Sequence, residues 1–143
     1  MMKNPDPYYI ANYLSADEFI LDMLELGKPL EVSLVGVFDD EGRGSRRDIE
    51  LPFHRDGEYS EQMAKAQGNY HTPAKDIDIV AMYCIWDDAS KRCFTTINYE
   101  GQIQKIELSQ GDALIFDNKK VTHGRIGEVG NRLLLRMWIK RSE

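Results

Sequence analysis

Two histidines and an aspartate are the residues best placed to do chemistry in this chain. His54-Arg55-Asp56 lies mid-chain and His123 near the end. Two imidazoles and one carboxylate are the smallest set that can hold a divalent ion such as Fe(II) on one face and leave the opposite face open. In an extended chain, residues i and i+2 point to the same side. His54 and Asp56 would therefore converge while Arg55 points away, and His123 must come from a different strand or its loop. A His-x-Asp alone equally describes a histidine hydrogen-bonded at a surface turn. The second cluster gives it direction. Arg132 and Arg136 follow His123 within Arg-Leu-Leu-Leu-Arg-Met-Trp-Ile, which reads as a strand. There both arginines share a face with Leu134 and Trp138, opposite Leu133, Leu135, Met137 and Ile139. A planar guanidinium can form two parallel charge-assisted bonds to a carboxylate, so this face would line a pocket for a dicarboxylate while the other packs. For Arg136 an ion pair at the surface or core edge is the alternative.

The elements that must position these groups are mostly strands. Ser15-Ala16-Asp17-Glu18 has the form of a capping box, and Phe19, Ile20, Met23 and Leu24 repeat at helical spacing, with Gly27 as a stop. This predicts one short N-terminal amphipathic helix. Leu30 to Phe38, Ile49 to His54, Ile79 to Trp86, Phe94 to Tyr99, Ile103 to Leu108, Ala113 to Phe116 and Arg132 to Lys140 then read as strands. One helix followed by such a series predicts a mainly β protein, a sandwich or jelly roll, as a single domain over residues 1–143. Gly57 to Asp78 breaks the rhythm. Connections of that length inside a small domain are usually functional or disordered, and this one starts beside Asp56, so an active-site lid over residues 57–78 is expected.

Composition narrows the partners. The chain has 143 residues, with 42% hydrophobic and 29% charged, as expected of a soluble globular domain. Eighteen basic against 24 acidic residues leave a charge of −6, which disfavours nucleic acid because phosphate neutralisation supplies most of that affinity. Arg43, Arg46 and Arg47 follow Asp39, Asp40 and Glu41 and read as a solvated loop. No apolar run approaches the roughly 20 residues that span a bilayer, and Met-Met-Lys-Asn-Pro-Asp-Pro lacks the apolar core of a signal peptide. Cys84 and Cys93 sit in apolar surroundings and read as buried free thiols. A cytoplasmic protein that acts on neither membrane nor nucleic acid is expected.

Three stretches carry a family resemblance. They are Phe53-His-Arg-Asp-Gly-Glu-Tyr59, Gly111-Asp-Ala-Leu-Ile-Phe-Asp-Asn-Lys-Lys-Val-Thr-His-Gly-Arg125, and Arg132 to Ile139, with the apolar strand Ile79 to Ile85 between them. Together they resemble the Fe(II)/2-oxoglutarate-dependent dioxygenases, in particular the branch of taurine dioxygenase, gamma-butyrobetaine hydroxylase and clavaminate synthase. The resemblance implies a double-stranded β-helix, a cupin-like jelly roll, with the metal at its open end. It implies His54, Asp56 and His123 as the iron ligands and catalytic centre. Arg132, nine residues after His123, would bind the far carboxylate of 2-oxoglutarate. Thr95 or Thr96 would hydrogen-bond the same cosubstrate, and their spacing leaves both open. Arg136 would lie near cosubstrate or substrate, and Tyr59 is a further candidate substrate contact.

The implied cofactors are Fe(II), 2-oxoglutarate and O2. The implied activity is hydroxylation of a small-molecule substrate, with oxidative decarboxylation of 2-oxoglutarate to succinate and CO2. Related halogenases lack the carboxylate ligand, so Asp56 favours hydroxylation over halogenation; desaturation and ring closure stay open. The acidic charge and Arg136 lean towards a small acidic metabolite. The chain is shorter than those relatives and has only a compact turn from Gly124 to Asn131, so substrate identity does not carry over. A homo-oligomer in which a partner subunit completes the site fits that shortness. His71 reads as a lid or surface histidine, Asp117 and Asn118 as a structural turn, and Tyr83 and Trp86 as core or pocket wall. The alternatives are a cupin-type metal- or ligand-binding protein, which leaves the arginine pair unexplained, and a degenerate oxygenase fold without oxidative turnover.

Overall fold

The computed structural model describes residues 4–36, 51–58, 72–88, 93–127 and 132–142. Tyr59, His71, the arginine loop and most of the expected lid lie outside them. The described elements run β1 (Tyr8–Asn12), α1 (Ala16–Leu24), β2 (Gly27–Val35), β3 (Leu51–His54), a 3-10 turn (Ala74–Asp76), β4 (Ile79–Asp87), β5 (Cys93–Tyr99), β6 (Gln102–Ile106), β7 (Asp112–Asp117), β8 (Thr122–Gly127) and β9 (Arg132–Arg141). They form two antiparallel sheets, ordered β1-β7-β4-β9-β2 and β3-β8-β5-β6. This is the expected mainly β jelly roll with a short helix. No described helix is long and apolar enough to cross a membrane.

Two strands are additional to those expected. β1 precedes the helix and pairs along its whole length with β7, and β8 lies between β3 and β5. Helix α1 starts as its sequence predicts, with Ser15 Oγ accepting the Glu18 amide at 3.2 Å. The Glu18 carboxylate returns to the amide of Leu14 at 3.0 Å, one residue earlier than in the usual box. Phe19 and Met23 are buried, whereas Leu24 is exposed. Gly27, expected to stop the helix, instead begins β2. A Cβ there would lie 2.0 Å from the Lys140 carbonyl oxygen, so the close approach of β2 to β9 needs a glycine.

The five-stranded sheet separates two cores. Its outer face packs under α1, where Phe19, Met23, Ile79, Ala81, Ile115, Met137 and Ile139 meet. Its inner face meets the four-stranded sheet through Val80, Met82, Cys84, Ile97, Phe116, Leu134 and Trp138. Alternation along β4 and β9 thus serves both cores. A bulge between Cys84 and Trp86 breaks that alternation. Tyr83 is buried as expected, but Trp86 turns out to be half exposed rather than core or pocket wall. Cys84 and Cys93 are buried free thiols, and burial pushes the Cys84 thiol up to about 11.

Candidate metal centre

Strand pairing brings the two histidines together. His54 closes β3 and stands directly opposite His123 on β8, so both side chains leave the same face with ring centroids 4.4 Å apart. Phe116 backs the His123 ring at 4.8 Å. Asp56 arrives differently from the expected i, i+2 alternation. β3 ends at His54, and Asp56 sits in the turn that follows. Asn118 holds that turn: its Oδ1 accepts the Asp56 amide at 3.1 Å, and its Nδ2 donates to the carbonyls of Asp56 and Ile77, each at 3.2 Å. Gly57 continues it at φ +93°, where a Cβ would also come within 2.9 Å of the Ala74 backbone. Arg55 points away and is exposed, as expected.

The three side chains converge on one point. Asp56 Oδ1 lies 3.2 Å from His123 Nε2 and 3.5 Å from His54 Nε2, and the three donor atoms all lie within 4.8 Å of one another. Adjacent ligands about 2.1 Å from an octahedral ion would be about 3 Å apart, so Asp56 is already close to that spacing from each imidazole. Burial alone would raise the Asp56 pKa; the charges of His123 and Arg136 and hydrogen bonds from both histidines outweigh it and hold the carboxyl well below the usual range. Burial pushes the His123 imidazole down, against the pull of Asp56. An ionised carboxylate and a neutral imidazole are the forms that bind metal.

These three residues line one cavity of about 380 Å³, mouth included, with Thr95, Arg125, Arg132 and Arg136 as its other charged or hydroxyl-bearing groups and Val35, Met82 and Leu134 as apolar wall. Arg132 is 9% exposed, and its Nη1 has no hydrogen-bond partner among the described residues. Burial lowers its pKa, with the neighbouring thiols of Cys93 and Cys84 acting the other way. Thr95, and not Thr96, lines the cavity, and its buried Oγ1 is also unpartnered among the described residues. Arg136 makes the ion pairs that its alternative reading expects, and one of them is to a candidate metal ligand. Its Nη1 lies 3.8 Å from Asp56 Oδ2 and its Nη2 3.7 Å from Glu31 Oε2, while its guanidinium covers the Trp138 ring at 4.8 Å.

A metal and a dicarboxylate both fit this arrangement. The ion has three converging donors. A carboxylate would satisfy Arg132 Nη1, which lacks a partner among the described residues and whose burial is otherwise costly. Arg132 lies four residues along β9 from Arg136, roughly 13 Å between backbones, with Leu134 between them. The cavity thus combines two arginines of β9 with the apolar Leu134 between them, beside Thr95 and Arg125 on the facing sheet.

Sequence reasoning missed two residues that hold the centre. In the sequence Asn118 is only part of a turn; in the structure it fastens the Asp56 backbone. Trp138 was placed on the right face of β9 without a role, and its Nε1 donates to Asp56 Oδ2 at 2.8 Å. Both contacts span more than 60 residues of sequence, so no local signal announces them. The shared β9 face was the one available hint for Trp138.

No family model and no curated protein matches the chain. Among solved structures, a crystal structure of a Pseudomonas putida prolyl-4-hydroxylase is similar, with a TM-score of 0.52 at 14% identity, covering 94% of this chain and 72% of the other. At that identity the likeness is one of fold.

Proposed function

We propose that this chain is an Fe(II)- and 2-oxoglutarate-dependent dioxygenase that hydroxylates a small, acidic molecule. One observation carries the reading: three metal-binding donors share a single cavity with the buried Arg132, whose Nη1 has no hydrogen-bond partner among the described residues. The sequence resemblance to the taurine dioxygenase branch and the fold of the prolyl-4-hydroxylase support it.

When bound, Fe(II) and 2-oxoglutarate supply the power to activate O2 and oxidise a C–H bond, with succinate and CO2 as coproducts. The chain positions these groups. His54, Asp56 and His123 hold the ion on one side. Arg132 clamps the far carboxylate of the cosubstrate, and the Thr95 hydroxyl donates to it. Val35, Met82 and Leu134 exclude water along the path between them. Arg136, beside Asp56, would draw an anionic group of the substrate towards the metal end; the candidate Tyr59 lies outside the described residues. A cytoplasmic enzyme, whose site a second copy helps to complete, fits this reading. A cupin that only binds metal would leave the Arg132 guanidinium without a purpose.

The test is to add Fe(II) and 2-oxoglutarate together without oxygen. A weak visible absorption band should appear, and succinate should form slowly once air is admitted. The absence of both band and succinate would overturn the assignment.

A further inference from the structure

We propose that Trp138 is a positioning residue that commits Asp56 to bind metal through one oxygen. The inference rests on the metal reading above and goes beyond it by assigning the two carboxylate oxygens different tasks. Oδ1 faces both imidazoles, at 3.2 and 3.5 Å. Oδ2 faces away and receives the indole N–H at 2.8 Å, with the Arg136 guanidinium 3.8 Å off. A carboxylate left free turns easily about its terminal torsion and can chelate an ion through both oxygens. That second bond would take one of the coordination positions that a three-ligand face leaves open.

The indole is well suited to prevent it. Trp138 is 4% exposed, stands opposite Val80 on β4 and Glu31 on β2, and lies beneath the Arg136 guanidinium. Its ring is thus held on several sides, and its single donor has one acceptor, Oδ2. Packing alone does not require that choice. Phenylalanine would fill most of the same space, and only a side chain with a donor at this point would hold the carboxylate.

The experiment compares the full-length protein with Trp138→Phe and Trp86→Phe in anaerobic titrations with Co(II) alone. Calorimetry gives affinity, visible absorption reports coordination, and melting of the metal-free proteins is recorded beside them. The expected result is a Kd about 10–100-fold weaker for Trp138→Phe, as is usual when an outer partner of a ligand is lost. Its Co(II) spectrum should also change, and Trp86→Phe should bind as the wild type does. A Trp138→Phe protein that melts earlier yet keeps the wild-type Kd and spectrum overturns the positioning role and leaves the metal reading standing. A wild type that binds no Co(II) overturns both. Should Trp138→Phe not fold, the wild type labelled with 15N at its indoles decides the matter. The Trp138 Nε1–H signal should exchange slowly with solvent and shift on addition of Zn(II), while the Trp86 signal does neither. Fast exchange of the Trp138 signal, or indifference to bound Zn(II), overturns the proposal.

Discussion

β4 and β9 turn one face to the helix and the other to the cavity, and the two faces follow different rules. Under α1 the packing is mainly apolar and aromatic: Phe19 stacks on Tyr83 at 5.2 Å, Tyr13 meets Phe19 edge-on at 5.7 Å, and Ile79, Ile115, Met137 and Ile139 are fully buried. The inner face begins in the same way around Val80, Phe116 and Leu134 and then changes character. Towards the metal centre it buries Asp56, His123, Arg132 and Thr95, and several of their polar atoms lack partners among the described residues. Native interiors tolerate few such groups. Their concentration on one side of a shared sheet separates the part that makes the chain fold from the part kept ready for ligands.

That contrast can be broken most forcefully at Phe19. Phe19→Ala should cost about 3–5 kcal/mol of stability, measured by denaturant unfolding, while the molecules still folded bind Co(II) with unchanged Kd. A weakened Kd would mean that the helix-side core also shapes the site. Next in size, His123→Ala should reduce metal affinity beyond the roughly 100-fold that outer-partner changes reach, read by calorimetry. Arg132→Ala should weaken 2-oxoglutarate binding about 10–100-fold, the equivalent of one charge-assisted interaction, and spare the metal. Its metal-free form should be no less stable than wild type, because a buried guanidinium whose Nη1 lacks a partner among the described residues is gone. Clear destabilisation would show that Arg132 belongs to the closed part instead.

The smallest effect concerns acid. Asp78 lies just before β4 and accepts the Arg141 amide at 2.8 Å and the Lys119 ammonium at 2.7 Å. Burial would raise its pKa, but Lys119 and Arg141 outweigh this and bring it below 3.8. A lowered folded pKa means that the unfolded chain binds the proton more readily. The stabilisation is present above pH 3.8 and is lost as pH falls through the lower folded value. Asp78→Asn should flatten that part of the acid unfolding curve and leave Co(II) affinity at pH 7 unchanged.

What could be read from sequence follows from the range of the interactions. The Ser15–Glu18 cap and the alternation of β9 depend on near neighbours, and both show in the chain. β1 was hidden because five residues gain a strand's support only from β7, about a hundred positions later. β8, Thr-His-Gly-Arg-Ile-Gly, carries two glycines that suggest a turn, and its strand character comes from β3 and β5 on either side. In the site, the ligand types and the arginine spacing were legible. The turn that presents Asp56 was not, since Asn118 holds it from 62 residues away. Trp86 was misplaced because a bulge carries no clear mark in the residues that form it.

The double duty of β9 has a practical corollary for protein engineering. Sliding or bending this strand to enlarge the cavity would drag Met137 and Ile139 out of register beneath the helix, so changes of size on β9 should be expected to fail by unfolding. β5 has no helix-side core to protect. Thr95 is therefore the better starting point for a library that seeks a different cosubstrate, and the yield of folded variants from each strand would be the first figure to compare.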